Sequence, residues 1–217
     1  MKSETVNKKI CLTPGMPAIT FAYAKNIDKP SNHHLHINKF FEIYIYIGGD
    51  ADYIAGDKYF SLNHGDIIVI NQYEPHNVVL KSEGLYERFY ILVPTESFDN
   101  FSYNPFKNIN GKLISLPEKR RKKAIDILYE IKNSFVKEPG GRTSFKACGL
   151  ILEFLAEISG EYPDCASFER NTPSRLPKYI ADILVYINKN ISAIKSADEI
   201  AKKFGLSMPY LSITFKN

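Results

Sequence analysis

An α+β fold is expected from three observations. Up to about residue 94 the chain alternates apolar and polar residues in short runs broken by closely spaced turns. After Gly111 the apolar period lengthens from two to about three and a half. The last stretch, residues 177–217, reads as short helices around a glycine. An antiparallel β-sandwich or small barrel, then a helical pair, then a small all-α unit is the architecture these imply.

Composition agrees. The 217 residues are 44% hydrophobic and 24% charged, which excludes disorder and suits one domain of ordinary size with a smaller one attached. No segment has the uninterrupted apolar length of a membrane span, and Met1 to Lys9 lacks the apolar centre of a signal peptide, so a cytoplasmic protein with no membrane role is expected. Cys11, Cys148 and Cys165 are odd in number, far apart and without a Cys-x-x-Cys pair, which points to three reduced thiols.

The strands come first. Phe41 to Ile47 interleaves aliphatic residues with Glu42, Tyr44 and Tyr46, and Ile67–Ile70, Val78–Leu80 and Arg88–Val93 are further β-rich runs. Gly48-Gly49-Asp50, Ala55-Gly56-Asp57, Asn63-His64-Gly65-Asp66 and Glu74-Pro75-His76 suit tight reversals, and their spacing leaves no room for helical crossovers. A helix over about 117–137 places Ala124, Ile125, Leu128, Ile131 and Phe135 on one stripe. Pro139-Gly140-Gly141 breaks it. The next helix, about 142–159, is more apolar than one buried face requires, which fits either a dimer surface or a helix covered on two sides by its own chain. Prolines 163, 173 and 177 mark a linker, so the boundaries are 1–160 for the β-domain with its helical pair, 161–176 for the linker and 177–217 for the terminal unit. In that unit a helix over about 177–190, with Ile180, Ile183, Leu184 and Ile187 on one face, packs beneath residues 196–217.

The most informative segment is Ser196 to Asn217. Ser196 with Glu199 three residues on is a capping box, Ile200 and Ala201 are the inward face of a short helix, and Gly205 can take the left-handed corner conformation. Ser207 caps a second helix whose Leu211 and Phe215 face inward, leaving Met208, Pro209, Ser212, Ile213 and Lys216 outward. Two helices at such a corner form a helix-turn-helix, whose second helix enters a DNA major groove. Residues 174–217 hold seven Lys or Arg against three Asp or Glu, matching the whole-chain excess of +4 and favouring approach to phosphate.

Taken together, the phrases Phe41 to Gly49, Gly65 to Ile70 with Glu74-Pro75-His76, and Ser196 to Lys216 resemble the AraC family of transcription regulators. That resemblance implies a cupin-like sensory barrel, a dimerising helical pair and DNA binding as a homodimer. It implies Lys202, Lys203 and Lys216 as phosphate partners, and Ser207, Met208, Pro209, Ser212 and Ile213 as groove-facing residues. Members carry two helix-turn-helix units and this sequence has one, so a fragment or a truncated product is expected. Ile213 offers apolar contact, to a thymine methyl for example, where members often place long polar side chains.

Within the barrel, Glu42, Tyr44 and Tyr46 share a strand face and make a polar, aromatic lining for a small polar effector such as a sugar. His34, His36, Glu42 and His76 echo the ligand pattern of metal-binding cupins, with alternation along a strand aligning the first three. The spacing from His36 to Glu42 is longer than usual there, so hydrogen-bonded imidazoles, with no metal and no cofactor, are the expectation. No phosphate loop or nucleophile elbow is present. A metal-dependent cupin enzyme and a truncated partner that dimerises without binding DNA are the competing readings.

Overall fold

The computed structural model describes residues 3–12, 17–29, 34–107, 109, 111, 113–137, 140–160, 174–175, 182–183, 186–187, 190 and 193–214. The α+β class expected from the sequence is what they form. Strands β1 (Glu4–Ile10), β2 (Ile19–Asp28), β3 (Phe41–Gly48), β4 (Ala51–Ala55), β5 (Lys58–Ser61), β6 (Ile67–Ile70), β7 (His76–Leu80), β8 (Gly84–Val93) and β9 (Leu113–Ile114) precede helices α1 (Glu118–Lys137) and α2 (Gly141–Ser159). A two-residue strand β10 (Ser174–Arg175) and helices α3 (Ala197–Lys203) and α4 (Met208–Thr214) complete the chain order. One sheet has the order β1-β2-β8-β3-β6-β9 and the other β10-β5-β4-β7, with antiparallel pairing throughout.

The larger sheet is covered on both faces, and the period of two decides what each face carries. Ile43, Ile45, Ile67, Val69, Phe89 and Ile91 point to α1 and α2, where they meet Leu128, Ile131, Ile151 and Phe154 in one core. Their strand neighbours Tyr44, Tyr46, Ile68, Ile70 and Tyr86 point the other way and meet Tyr53, Phe60, Val78 and Leu80 of the smaller sheet. All four residues of β6 are buried for this reason.

Strands β1 and β2 were not legible as strands. β1 lies at the sheet edge with Val6 and Ile10 pointing inward and Lys9 outward, while half-buried Lys8 falls on the inward face between the two apolar residues and breaks the alternation. Helix α1 is joined to the sheet by polar contacts as well. Tyr23 donates to Glu87 Oε1 at 2.9 Å, Tyr129 of α1 donates to the same oxygen, and Lys25 pairs with Oε2 at 2.8 Å. Lys132, 7% exposed, pairs with Glu4 of β1 at 2.7 Å and stands over the ring of Tyr23 at 4.2 Å. At the β5–β6 turn Gly65 has φ of +81°, and a Cβ there would lie 2.5 Å from Arg121 Cδ of α1. Both backbone and packing require glycine.

Of the helix expected over about 177–190, residues 182–183, 186–187 and 190 are described and are helical; the linker expectation falls almost wholly outside the described residues. Ser174 and Arg175 pair with Tyr59 and Lys58. Cys11 and Cys148 are free thiols, with Cys148 Sγ donating to the Cys11 carbonyl at 2.8 Å, and Cys165 lies outside the described residues.

Burial alone would raise the Glu87 pKa, but the hydrogen bonds from Lys25, Tyr129 and Tyr23 outweigh it and hold it below its usual 4.5. A carboxylate lowered on folding stabilises the native state fully above the unfolded value, and that contribution is lost as pH falls through the folded value. Stability measured by urea unfolding should therefore begin to fall as pH drops below about 4.5. Glu87→Gln should flatten that acid limb and cost about 1–3 kcal/mol at neutral pH, because the amide oxygen still accepts from the phenols but the Lys25 ammonium loses its counter-charge.

Candidate functional site

Between the sheets lies a cavity of about 490 Å³. Its walls are Glu42 and Tyr44 from β3, Tyr86, Arg88, Tyr90 and Leu92 from β8, Tyr53 from β4, Asn77 and Val78 from β7, and His34, His36 and Asn38 from the segment before β3. Five of the six sequence-predicted binding residues meet here: His34, His36, Glu42, Tyr44 and His76, the last through its contact with Glu42. Tyr46 does not. It is buried between the sheets, and its hydroxyl donates to the Gly49 carbonyl at 2.7 Å, tying down the β3–β4 turn.

The histidines reach the cavity by a route other than strand alternation. Residues 34–40 are not a strand; His36 instead makes an isolated bridge with His76, each backbone N–H donating to the other's carbonyl at 3.1 and 3.0 Å. Two reciprocal bonds set the rings 4.2 Å apart, edge to face. His76 Nδ1 meets the Glu74 carbonyl at 2.7 Å and His36 Nδ1 the His34 carbonyl at 3.0 Å. Carbonyls only accept, so both Nδ1 atoms are protonated, and His76 Nε2 is left to meet Glu42.

Glu42 is the centre of this end. Its Oε2 accepts from Asn38 at 2.6 Å and lies 3.1 Å from His76 Nε2, and the Tyr53 hydroxyl is 3.5 Å from Oε1. His76 is fully buried, which disfavours the imidazolium, yet its bonds to Glu42 and to the Glu74 carbonyl outweigh burial and raise its pKa above 6.5. One nitrogen or oxygen from each of His36, Glu42 and His76 lies within 4.8 Å of the others. Two imidazole nitrogens and a carboxylate suit a borderline divalent cation, provided that the His76–Glu42 contact opens.

At the other end Tyr44 and Tyr86 share a short hydroxyl–hydroxyl hydrogen bond, and Arg88 stands over the Tyr86 ring at 4.4 Å. Burial pushes the phenols of Tyr44, Tyr53, Tyr86 and Tyr90 up, with the Arg88 cation opposing it in each case. All four stay neutral donors at physiological pH. Tyr53, Tyr86, Arg88 and Tyr90 were missed in the sequence, although the alternation Tyr86-x-Arg88-x-Tyr90 places a cation among phenols on one strand face. A second cleft of about 720 Å³ between α1 and α2 is lined by dispersed residues such as Asp126, Lys137, Arg142 and Lys146 and lacks such convergence.

The terminal unit is built as its capping residues dictate. Ser196 Oγ accepts from Glu199 N–H at 3.3 Å, while Glu199 accepts from Lys195 N–H, one residue before the cap. Helix α3 ends with Leu206 N–H on the Ala201 carbonyl and Gly205 N–H on that of Lys202, with Gly205 at φ of +65°. That is the Schellman arrangement. Ser207 Oγ accepts from Tyr210 N–H and opens α4. Ile200, Ala201 and Leu211 pack with Ile183, and Met208, Pro209, Ser212 and Ile213 are exposed. Lys202 pairs with Asp198 at 2.8 Å and Lys203 lies over Tyr186; Lys216 is outside the described residues.

Residues 19–126 match the family model of the AraC-like ligand binding domain, so this segment carries that domain's sequence pattern. No curated protein matches the chain significantly. Among solved structures, a Photorhabdus luminescens protein is 22% identical over 44% of this chain and 79% of its own, with a TM-score of 0.34. A cupin 2 conserved barrel domain protein from Salinispora arenicola is 15% identical over 45% of this chain and 82% of its own, with a TM-score of 0.34. The AraC-like transcriptional activator CuxR is 9% identical over 99% of this chain and 80% of its own, with a TM-score of 0.44. No described helix is long and apolar enough to cross a membrane.

Glu42→Leu should cost about 1–3 kcal/mol in urea unfolding, since buried His76, Asn38 and Tyr53 all lose an acceptor. Glu42→Gln should cost less, because the amide oxygen still accepts from Asn38.

Proposed function

We propose that the chain is a ligand-responsive DNA-binding regulator, cytoplasmic and dimeric, in which the cavity between the sheets holds a small effector and α4 reads a DNA major groove. The observation that carries this reading is the combination of an AraC-like ligand-binding segment with a capped α3–Gly205–α4 corner whose α4 exposes Met208, Pro209, Ser212 and Ile213. A structural helical hairpin would have no need to leave Ile213 59% exposed. Effector binding acts by differential affinity: whichever arrangement of sensor and linker binds the effector better also sets the spacing of two DNA-reading units in a dimer.

Support for the dimer comes from α2, where Phe145 is 82% exposed and shares a helical stripe with exposed Gly149 and half-buried Leu152. Sedimentation should report a dimer that Phe145→Glu dissociates; an unchanged mass would remove this surface from the reading.

For DNA binding, Lys202, Lys203 and Lys216 are the proposed phosphate partners and Ser207 is the cap at the groove. Three neutralised phosphates give a log–log salt slope of about −2.7, or roughly 40-fold weaker binding per unit between 50 and 200 mM salt. Fluorescence anisotropy with the gene's own upstream DNA should show this, with Lys202→Ala/Lys203→Ala lowering the slope by about 2. Equal binding to scrambled DNA would remove the claim of specific readout.

A second reading is favoured by one observation, the approach of His36, Glu42 and His76. Under it these residues hold a divalent cation that supplies Lewis acidity for a cupin-type reaction. Stoichiometric zinc or iron in purified protein, lost with His36→Ala, would support it.

A further inference from the structure

One charged group in the cavity, Arg88, has a nitrogen without an acceptor among the described residues. Arg88 sits mid-strand in β8 with its side chain on the cavity face beside Tyr86 and Tyr90. Its Nη1 is buried and has no hydrogen-bond partner among the described residues. Two other partly buried cations of this domain form ion pairs, Lys25 with Glu87 and Lys132 with Glu4. A buried guanidinium nitrogen left without an acceptor destabilises the fold unless something else supplies one.

Glu42 is not that partner. Strand register sets Glu42 beside Leu92 and Tyr46 beside Arg88, so the two charges stand four positions apart, roughly 13 Å along the strands. Glu42 is also already engaged by Asn38 and His76. The cavity thus has an acceptor-rich end at Glu42 and a donor-rich end at Arg88, with the hydroxyl pair Tyr44–Tyr86 at the latter.

Resting on the effector-pocket reading above, we propose that the effector is a carboxylate-bearing small molecule whose carboxylate is bound by Arg88 between the rings of Tyr86 and Tyr90. The planar fork of the guanidinium matches a carboxylate with two parallel hydrogen bonds, and stacking on Tyr86 holds the fork in place. A single cation balances a single negative charge. A phosphate dianion would exceed it and would face Glu42 within the same cavity. A neutral sugar would offer Nη1 a hydroxyl acceptor but no counter-charge to the guanidinium.

The test uses matched probes on the full chain, each acid beside its neutral amide: 4-hydroxybenzoate with 4-hydroxybenzamide and glucuronate with glucuronamide, with inorganic phosphate as a third anion, measured by calorimetry and thermal shift. At least one acid is expected to bind tenfold or more tightly than its amide, and Arg88→Gln should abolish that preference. Arg88→Lys, which keeps the charge without the fork, should retain part of it and gives the comparison should Arg88→Gln not fold. An amide that binds as well as its acid, phosphate binding more tightly than either acid, or an acid preference that survives in Arg88→Gln overturns the carboxylate assignment while leaving an effector pocket in place. Binding by none of the probes overturns the carboxylate assignment, and the pocket reading then stands or falls on whether DNA affinity responds to cell-extract metabolites.

Discussion

The β-domain depends on the pleat of two adjacent strands. β3 and β8 run side by side at the centre of the larger sheet, and their strict alternation sends Ile43, Ile45, Phe89 and Ile91 into the helical core and Glu42, Tyr44, Tyr86, Arg88 and Tyr90 toward the smaller sheet. A slip of one residue would exchange the two sets, placing carboxylate and guanidinium in an aliphatic core and isoleucines around the cavity. The helices and the site therefore specify one another's register. The bulge between Tyr46 and Gly48 ends the regular pairing next to the turn that the Tyr46 hydroxyl secures.

Within that frame the two ends of the cavity are held differently. The Glu42 end is internally satisfied, with backbone carbonyls orienting both imidazoles and Asn38 orienting the carboxylate. Such an end is rigid before any ligand arrives, and little ordering entropy remains to oppose binding there. The Arg88 end is incomplete, with a cation positioned by an aromatic ring and not by a counter-charge. Specificity is expected to reside where the protein leaves something unsatisfied.

The central strands, the turns and the helical pair were legible in the sequence because each had one consistent period and clear breakers, as with Phe41 to Ile47 and Pro139-Gly140-Gly141. β1 and β2 were not, since an edge strand such as β1 tolerates lysines that erase the alternation. Of the site, Glu42 and Tyr44 could be placed because they lie in a readable strand. His36 could not be placed correctly: its position is set by a lone pair of backbone bonds to His76, forty residues away, and no local pattern encodes such a bridge. Arg88 was passed over because a single arginine in a strand reads locally as a solvated edge, and only the second sheet turns its face inward.

The contact between Lys132 and Glu4 changes how the first strand should be regarded. Lys132 lies beneath β1 with its ammonium nearly out of reach of solvent, so Glu4 serves as counter-ion to a cation on a helix more than a hundred positions later. Shortening the amino terminus would remove that counter-ion and leave the ammonium held only by the faces of Tyr23 and Tyr129. The opening segment is thus part of the electrical closure of the domain, and the two ends of its fold are completed together.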